Sequence, residues 1–240
     1  MLLNKYNRIR ELLKKKEVIS IYFIKIFFVS IFPGILWVWY FYRKDRYDPE
    51  PKRLIVRDFI WGLLMVFPAG LLEAPLSGFL TAPSSLFTLF LVTVFGIGII
   101  EEGFKSYVVY RLHYNHPEFD EPVDGIIYGV TVGLGFAALE NMFYTILFGY
   151  QVGLIRAVLT TLAHASFTGI FGFYLARAKE ENNRLLILFG YLLVSFLHGI
   201  YDFLAISGLM GTYTAILVIV ILQIYLASLI RHTTERSPFK

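Results

Sequence analysis

The chain has 240 residues, of which 57% are hydrophobic, with no cysteine and a formal net charge of +4, and its mean hydropathy is +0.62. Such a composition is too apolar for an ordinary soluble domain, and no polar stretch is long enough to bury a core of its own. The missing cysteines exclude disulfides, thiolate metal sites and a cysteine nucleophile, while the basic excess lies mostly in loops, where it reports topology rather than nucleic-acid binding.

Taken in chain order, residues 1–18 are a basic segment, with six Lys or Arg among residues 1–17. No small-residue cleavage site follows the first apolar run, so no removable signal peptide is expected. Residues 19–232 read as one membrane domain and 233–240 as a tail. Seven apolar runs approach the ~20 residues that a helix needs to cross a bilayer, at roughly 19–42, 56–74, 86–110, 125–148, 157–177, 185–205 and 213–230. The expected fold is therefore an all-α, polytopic transmembrane helical bundle in the cell membrane.

Loop charges orient it. Residues 43–57 carry Arg43, Lys44, Arg46, Lys52, Arg53 and Arg57, residues 177–184 carry Arg177, Lys179 and Arg184, and the tail carries Arg231, Arg236 and Lys240. The loops "APLSGFLTAPSS" (74–85) and "ISGLMG" (206–211) carry no charge. Positive-inside counting puts the basic loops, with 111–124, in the cytoplasm. One more crossing would place basic residues 1–17 outside. The alternative is that the first apolar segment, interrupted by Lys25 and Pro33-Gly34, does not span and residues 1–17 form an amphipathic helix on the membrane surface.

A short set of polar groups is left at membrane depth: Glu101, Glu102 and Lys105 on the third span, Glu140 and Asn141 on the fourth, His164 on the fifth, His198 and Asp202 on the sixth. A charge at bilayer depth costs roughly 3 kcal/mol on insertion scales, so such groups face the bundle interior and usually mark function. Glu101 and Lys105 are i, i+4 and Glu102 and Lys105 i, i+3, so the lysine can reach and neutralise both carboxylates. Neighbouring helical residues diverge by about 100°, so one glutamate alone should point at a given reacting atom. His198 and Asp202 are i, i+4, and the aspartate could orient the imidazole. Small residues at Gly125, Gly129, Gly133 and Ala137, and at Ala165, Gly169, Gly172 and Ala176, allow close helix packing around this set. His164, His198, Asp202 and Glu140 fall in the outer half of their spans, with Glu101 near the middle.

Other groups receive structural readings. Lys25, Asp58, Glu73 and Arg156 lie near helix ends and can snorkel to the interface. His113, His116 and the acidic run "EFDEPVD" (118–124) read as solvated. Trp37, Trp39, Tyr40 and Tyr42 read as an interfacial belt.

The motifs "EEGFK" (101–105), "FAALEN" (136–141) and "HGIYD" (198–202), in this order on separate spans, resemble the PrsW family of intramembrane proteases. "WYFYRKDRYDPEPKR" (39–53) and "LAHASFTGIFGF" (162–173) are similar to that family too. The resemblance covers about residues 33–205, leaves the basic segment 1–20 unexplained, and extends distantly to type II CAAX prenyl endopeptidases. It implies a glutamic-type intramembrane endopeptidase acting on a membrane-anchored protein substrate, an anti-sigma factor in part of the family. By motif, Glu101 and Glu102 match the tandem acids and His198 the essential histidine, while Glu140, Asn141, His164 and Asp202 match the other polar positions. One of the glutamates would activate a water, with His198, and His164 or Asn141, donating to the oxyanion. No cofactor and no metal are expected on this reading. Glu140, His164, His198 and Asp202 are also nitrogen and oxygen donors that suit zinc, although the H-E-x-x-H helix is absent. An ion-coupled transporter, or a non-catalytic substrate-binding or immunity protein, is a further alternative.

Overall fold

The computed structural model describes the backbone of residues 2–240 and the side chains of all of these except 2–9, 11, 12 and 18. The described residues contain helices and no strand. Seven of the helical stretches are long and apolar enough to cross a membrane: Leu13–Tyr42, Lys52–Thr81, Leu86–His113, Pro122–Phe148, Tyr150–Glu180, Leu185–Ile206 and Thr212–Glu235. Each contains the corresponding run read from the sequence and overshoots it where the helix continues into polar residues.

Helix α1 (Leu2–Ser30) carries the basic segment and the first half of the first apolar run as one element. The chain re-enters helix α2 (Phe32–Tyr42) with Pro33 in its first turn, where a missing N–H costs nothing. Helix α3 (Lys52–Glu73) tolerates Pro68 near its end and runs on through a 3₁₀ turn into α4 (Ser77–Thr81). The third span begins as α5 (Leu86–Leu91), whose N-cap Ser85 accepts from the Thr88 N–H at 3.0 Å. It widens into a π-helical segment at Val92–Gly98, then becomes α6 (Ile99–His113). Helices α7 (Pro122–Phe148) and α8 (Tyr150–Glu180) form a hairpin about Gly149, which takes φ 93°. Helices α9 (Leu185–Ile206) and α10 (Thr212–Glu235) complete the bundle.

The α7–α8 hairpin is the core. The membrane stretch of α7 is 94% buried and that of α8 72% buried, against 22% for α10. Small residues make this possible: a Cβ on Gly125, Gly129 or Gly133 would collide with the α8 backbone at Gly172, Thr168 or His164 respectively. Those are the four-residue stripes expected to pack. A second close approach positions chemistry. Gly98, which ends the π segment, lies against the Ser195 carbonyl, and Gly199 lies against the Thr93–Val94 backbone, so neither has room for a Cβ. The crossing brings His198, next to Gly199, onto Glu101 and Glu102.

The end of the bundle that holds the loop before α3 and the start of α7 departs from the sequence reading. His113 is not solvated: it is fully buried, stacks on the Tyr128 ring at 3.5 Å and lies with Nε2 2.7 Å from Asp58 Oδ2. Asp58 does not snorkel, because α3 faces α6 there and the imidazole satisfies the carboxylate. The run 118–124 is not a uniformly solvated face either. Phe119, Glu121 and Asp124 are buried, since Asp124 folds back to accept from the Asp120 and Glu121 N–H groups at 3.0 and 2.8 Å and draws the loop into the base of α7. Burial, and then the Glu121 charge, push the Asp45 carboxyl up to about 6.

Candidate active site

Lys105 is the centre of the polar cluster. It is wholly buried, and its ammonium lies 3.1 Å from Glu101 Oε2, 2.7 Å from Glu102 Oε1 and 2.9 Å from His164 Nδ1, above the Phe136 ring at 4.3 Å. Only an ammonium with opposing charges and donors satisfied in this way is tolerable in so dry a position. An ammonium only donates, so His164 Nδ1 is the acceptor and its ring proton sits on Nε2. That nitrogen lies 2.9 Å from Glu140 Oε2.

The two glutamates diverge as helical geometry requires. Glu102 turns inward and is fully engaged: Oε1 accepts from Lys105 and, at 2.9 Å, from His198 Nδ1, and Oε2 accepts from the Thr168 hydroxyl at 3.2 Å. Glu101 faces a cavity of about 470 Å³ whose walls also include Glu73, Glu140, Arg156, His164 and Asp202. With its Nδ1 proton committed to Glu102, His198 presents Nε2 at 3.6 Å from Glu101 Oε2 and 3.4 Å from Asp202 Oδ2. Phe167 stacks on that ring at 5.2 Å, and the His164 and His198 rings meet edge to face at 5.0 Å. The tighter partner of His198 is thus Glu102 rather than the i, i+4 Asp202.

All the membrane-depth residues singled out in the sequence cluster here except Asn141, which is set back. Its amide donates to Thr161 at 2.9 Å, and its carbonyl accepts from Arg156 Nε at 3.0 Å. Arg156 does not snorkel: Nη2 lies 2.8 Å from Glu140 Oε1, because the tight turn at Gly149 sets the start of α8 beside the end of α7. Glu73 likewise lines the cavity. The sequence reading missed Arg156, Thr160 and Thr168. Their signal is spacing: with His164 they recur every four residues along α8.

Glu101, His164 and His198 each offer a donor atom within 4.8 Å of the others, and one carboxylate with two imidazoles is a donor set that suits zinc. A metal held through His164 Nδ1 does not fit this arrangement. The Lys105 ammonium already bonds two of those three groups, so a dication among them would meet a like charge at close range and lose His164 Nδ1 as a ligand.

A bundle that holds carboxylates and imidazoles around a cavity at membrane depth fits the class of multi-pass membrane hydrolases. A family profile described as "PrsW family intramembrane metalloprotease" matches residues 50–228. The chain is 39% identical over 182 residues to "Protease PrsW" of Geobacillus kaustophilus, an alignment covering 74% of this chain and 78% of that one. It is 38% identical over 178 residues to the protein of that name from Bacillus subtilis, covering 73% and 80%. With the Oceanobacillus iheyensis protein it shares 35% identity over 210 residues, covering 87% and 94%. No solved structure matches the chain. The chain belongs to the PrsW family of intramembrane proteases. It is a multi-pass membrane hydrolase whose substrate is a protein, and neither a transporter nor an immunity function finds support among these relatives.

Proposed function

We propose that this protease hydrolyses membrane-anchored proteins with a water activated by Glu101. The observation that carries the reading is the division of labour between the tandem acids: Glu101 faces the cavity while Glu102 is consumed by Lys105, His198 and Thr168. A water on the cavity side of Glu101 Oε2 can be shared with His198 Nε2, which stands 3.6 Å from that oxygen. Glu101 takes its proton, the hydroxide adds to the scissile carbonyl carbon, and the same carboxyl returns the proton to the amide nitrogen as the C–N bond breaks. Charge developing on the carbonyl oxygen is met inside a low-dielectric cavity, where each aimed donor is worth roughly 3–4 kcal/mol. The Arg156 guanidinium lines that cavity and is a donor for that oxygen. Asn141, held on Arg156 and Thr161, is a positioning residue, and Glu140 holds both Arg156 and His164. Glu102 and Lys105 set the tautomers of His198 and His164 and keep the buried charges balanced.

The test uses purified protein in lipid vesicles with a single-pass reporter whose cleavable segment enters the membrane. Wild type should release the soluble half of the reporter, and His198→Ala should not, although it melts as wild type does. Release by His198→Ala at the wild-type rate removes the water site from this reading.

A further inference from the structure

A second cluster lies at the end of the bundle that holds the start of α7, remote from the chemistry. Asp45 and Glu50 come from the loop between α2 and α3, and Glu121 and Asp124 from the start of α7. Asp124 is 16 residues from Glu140 along α7, about 24 Å at 1.5 Å per residue. One carboxylate oxygen each of Asp45, Glu121 and Asp124 lies within 4.8 Å of the others, and all three residues are buried. Glu50 adjoins Asp124, and its Oε2 accepts from the Tyr128 hydroxyl.

The partners of these groups are the second observation. Asp45 is 4% exposed and neither of its oxygens makes a hydrogen bond of normal geometry, the backbone of Tyr47 and Asp48 being its neighbouring donors; Glu50 is 3% exposed and its Oε1 has no partner. Glu121 is 4% exposed. The capping arrangement brings its carboxylate to the Asp124 backbone, yet neither oxygen makes a bond of normal geometry. None of the salt bridges among the described residues involves these four acids, although the same loop carries Arg43, Lys44 and Arg46. Buried carboxylates with unpaired oxygens and no counter-charge are costly when ionised, and a cation among them removes that cost.

We propose that Asp45, Glu50, Glu121 and Asp124 bind a hard divalent cation of the calcium or magnesium class, which pins the loop after α2 to the first turn of α7. The donors are all oxygen, and the site has neither sulfur nor imidazole, which selects hard cations over zinc. Calcium–oxygen bonds run to about 2.3–2.6 Å, so oxygens on opposite sides of an ion stand about 5 Å apart. The 4.8 Å limit on the three donors fits that geometry. The cation serves stability and loop placement and has no part in hydrolysis, so it stands or falls independently of the catalytic reading.

Thermal melts of the full-length protein in detergent test it, run in EDTA, in calcium chloride and in magnesium chloride. With the cation at a hundredfold excess over its Kd, the wild-type Tm should rise by roughly 5 °C, and the larger of the two shifts identifies the ion. Asp45→Asn and Glu121→Gln should each lose the shift and, in EDTA, melt at or above wild type because repulsion is relieved. Asp120→Asn, an exposed neighbour, should keep the shift. Terbium luminescence excited through tyrosine on the wild type provides a second readout, which calcium should compete away. A wild-type melt identical in all three conditions, or variants that shift as far as wild type, overturns the site.

Discussion

Lys105 is the residue on which the polar cluster depends. Its one positive charge faces Glu101 and Glu102 directly, with Nζ at 3.1 and 2.7 Å. Lys105→Met keeps the length of the side chain and removes the charge, leaving two buried carboxylates uncompensated. Breaking a buried ion pair from one side costs about 3–5 kcal/mol. We therefore expect Lys105→Met to lose that much stability in denaturant titrations of the reconstituted protein, and Lys105→Met combined with Glu102→Gln to recover part of it. A double variant no more stable than the single one would mean that the two charges are not coupled. Much at this scale was legible in the sequence, because the i, i+3 and i, i+4 spacing of residues 101–105 dictates the ion pairs. Which glutamate faces the cavity was not, since that depends on rotation about α6 set by the π segment before it. Arg156 and Asp58 were misread for a related reason. Nearness to a helix end licenses snorkelling only when the end is free, and both ends here are covered by another helix carrying a partner.

At the scale of elements, two glycine contacts do the positioning. The α7–α8 stripe follows from its four-residue period and could be read directly. The crossing of the π segment with α9 could not. It is made by Gly98 and Gly199, single glycines on different spans, and nothing local announces that they meet. A methyl group at Gly199 meets the Thr93–Val94 backbone, so Gly199→Ala must push α9 away and carry His198 off Glu102. We expect its kcat to fall at least tenfold while KM for a membrane-tethered reporter changes little. The same loss appearing in KM alone would show that the crossing shapes substrate binding rather than the reacting groups. Gly129→Val, by contrast, acts on packing, as its side chain meets Thr168 and Gly169. Overpacking of this kind typically costs about 1–3 kcal/mol, to be read as a lowered Tm.

For the whole molecule, the seven spans came from hydropathy alone, because a bilayer sets helix length, while their ends ran up to seven residues beyond the apolar runs. The base of the bundle before α3 and α7 was less legible: charges in "DRYDPEP" and "DEPVD" look like solvated loop residues until folding buries them. The reading also makes two metal-related demands that separate cleanly. Lys105 already holds Glu101 and His164 Nδ1, so 1,10-phenanthroline, which strips zinc and leaves calcium and magnesium in place, should leave reporter cleavage unchanged. Cleavage abolished by phenanthroline and restored by zinc would contradict that arrangement. EDTA acts on hard cations as well, so its effect belongs to the melting temperature and to the acidic cluster at the start of α7.

The most direct measurement of the central claim is single-turnover cleavage of the membrane-tethered reporter by Glu101→Gln and Glu102→Gln in vesicles, with a melting curve for each. Losing the general base should slow Glu101→Gln by roughly 10²–10⁴-fold, with no fall in Tm because the amide keeps the shape and removes a buried charge. Glu102→Gln should lose both rate and stability, since Lys105 and His198 lose their shared anchor. A folded Glu101→Gln that cleaves within a few-fold of the wild-type rate would contradict the assignment of the cavity-facing carboxylate as the group that activates water.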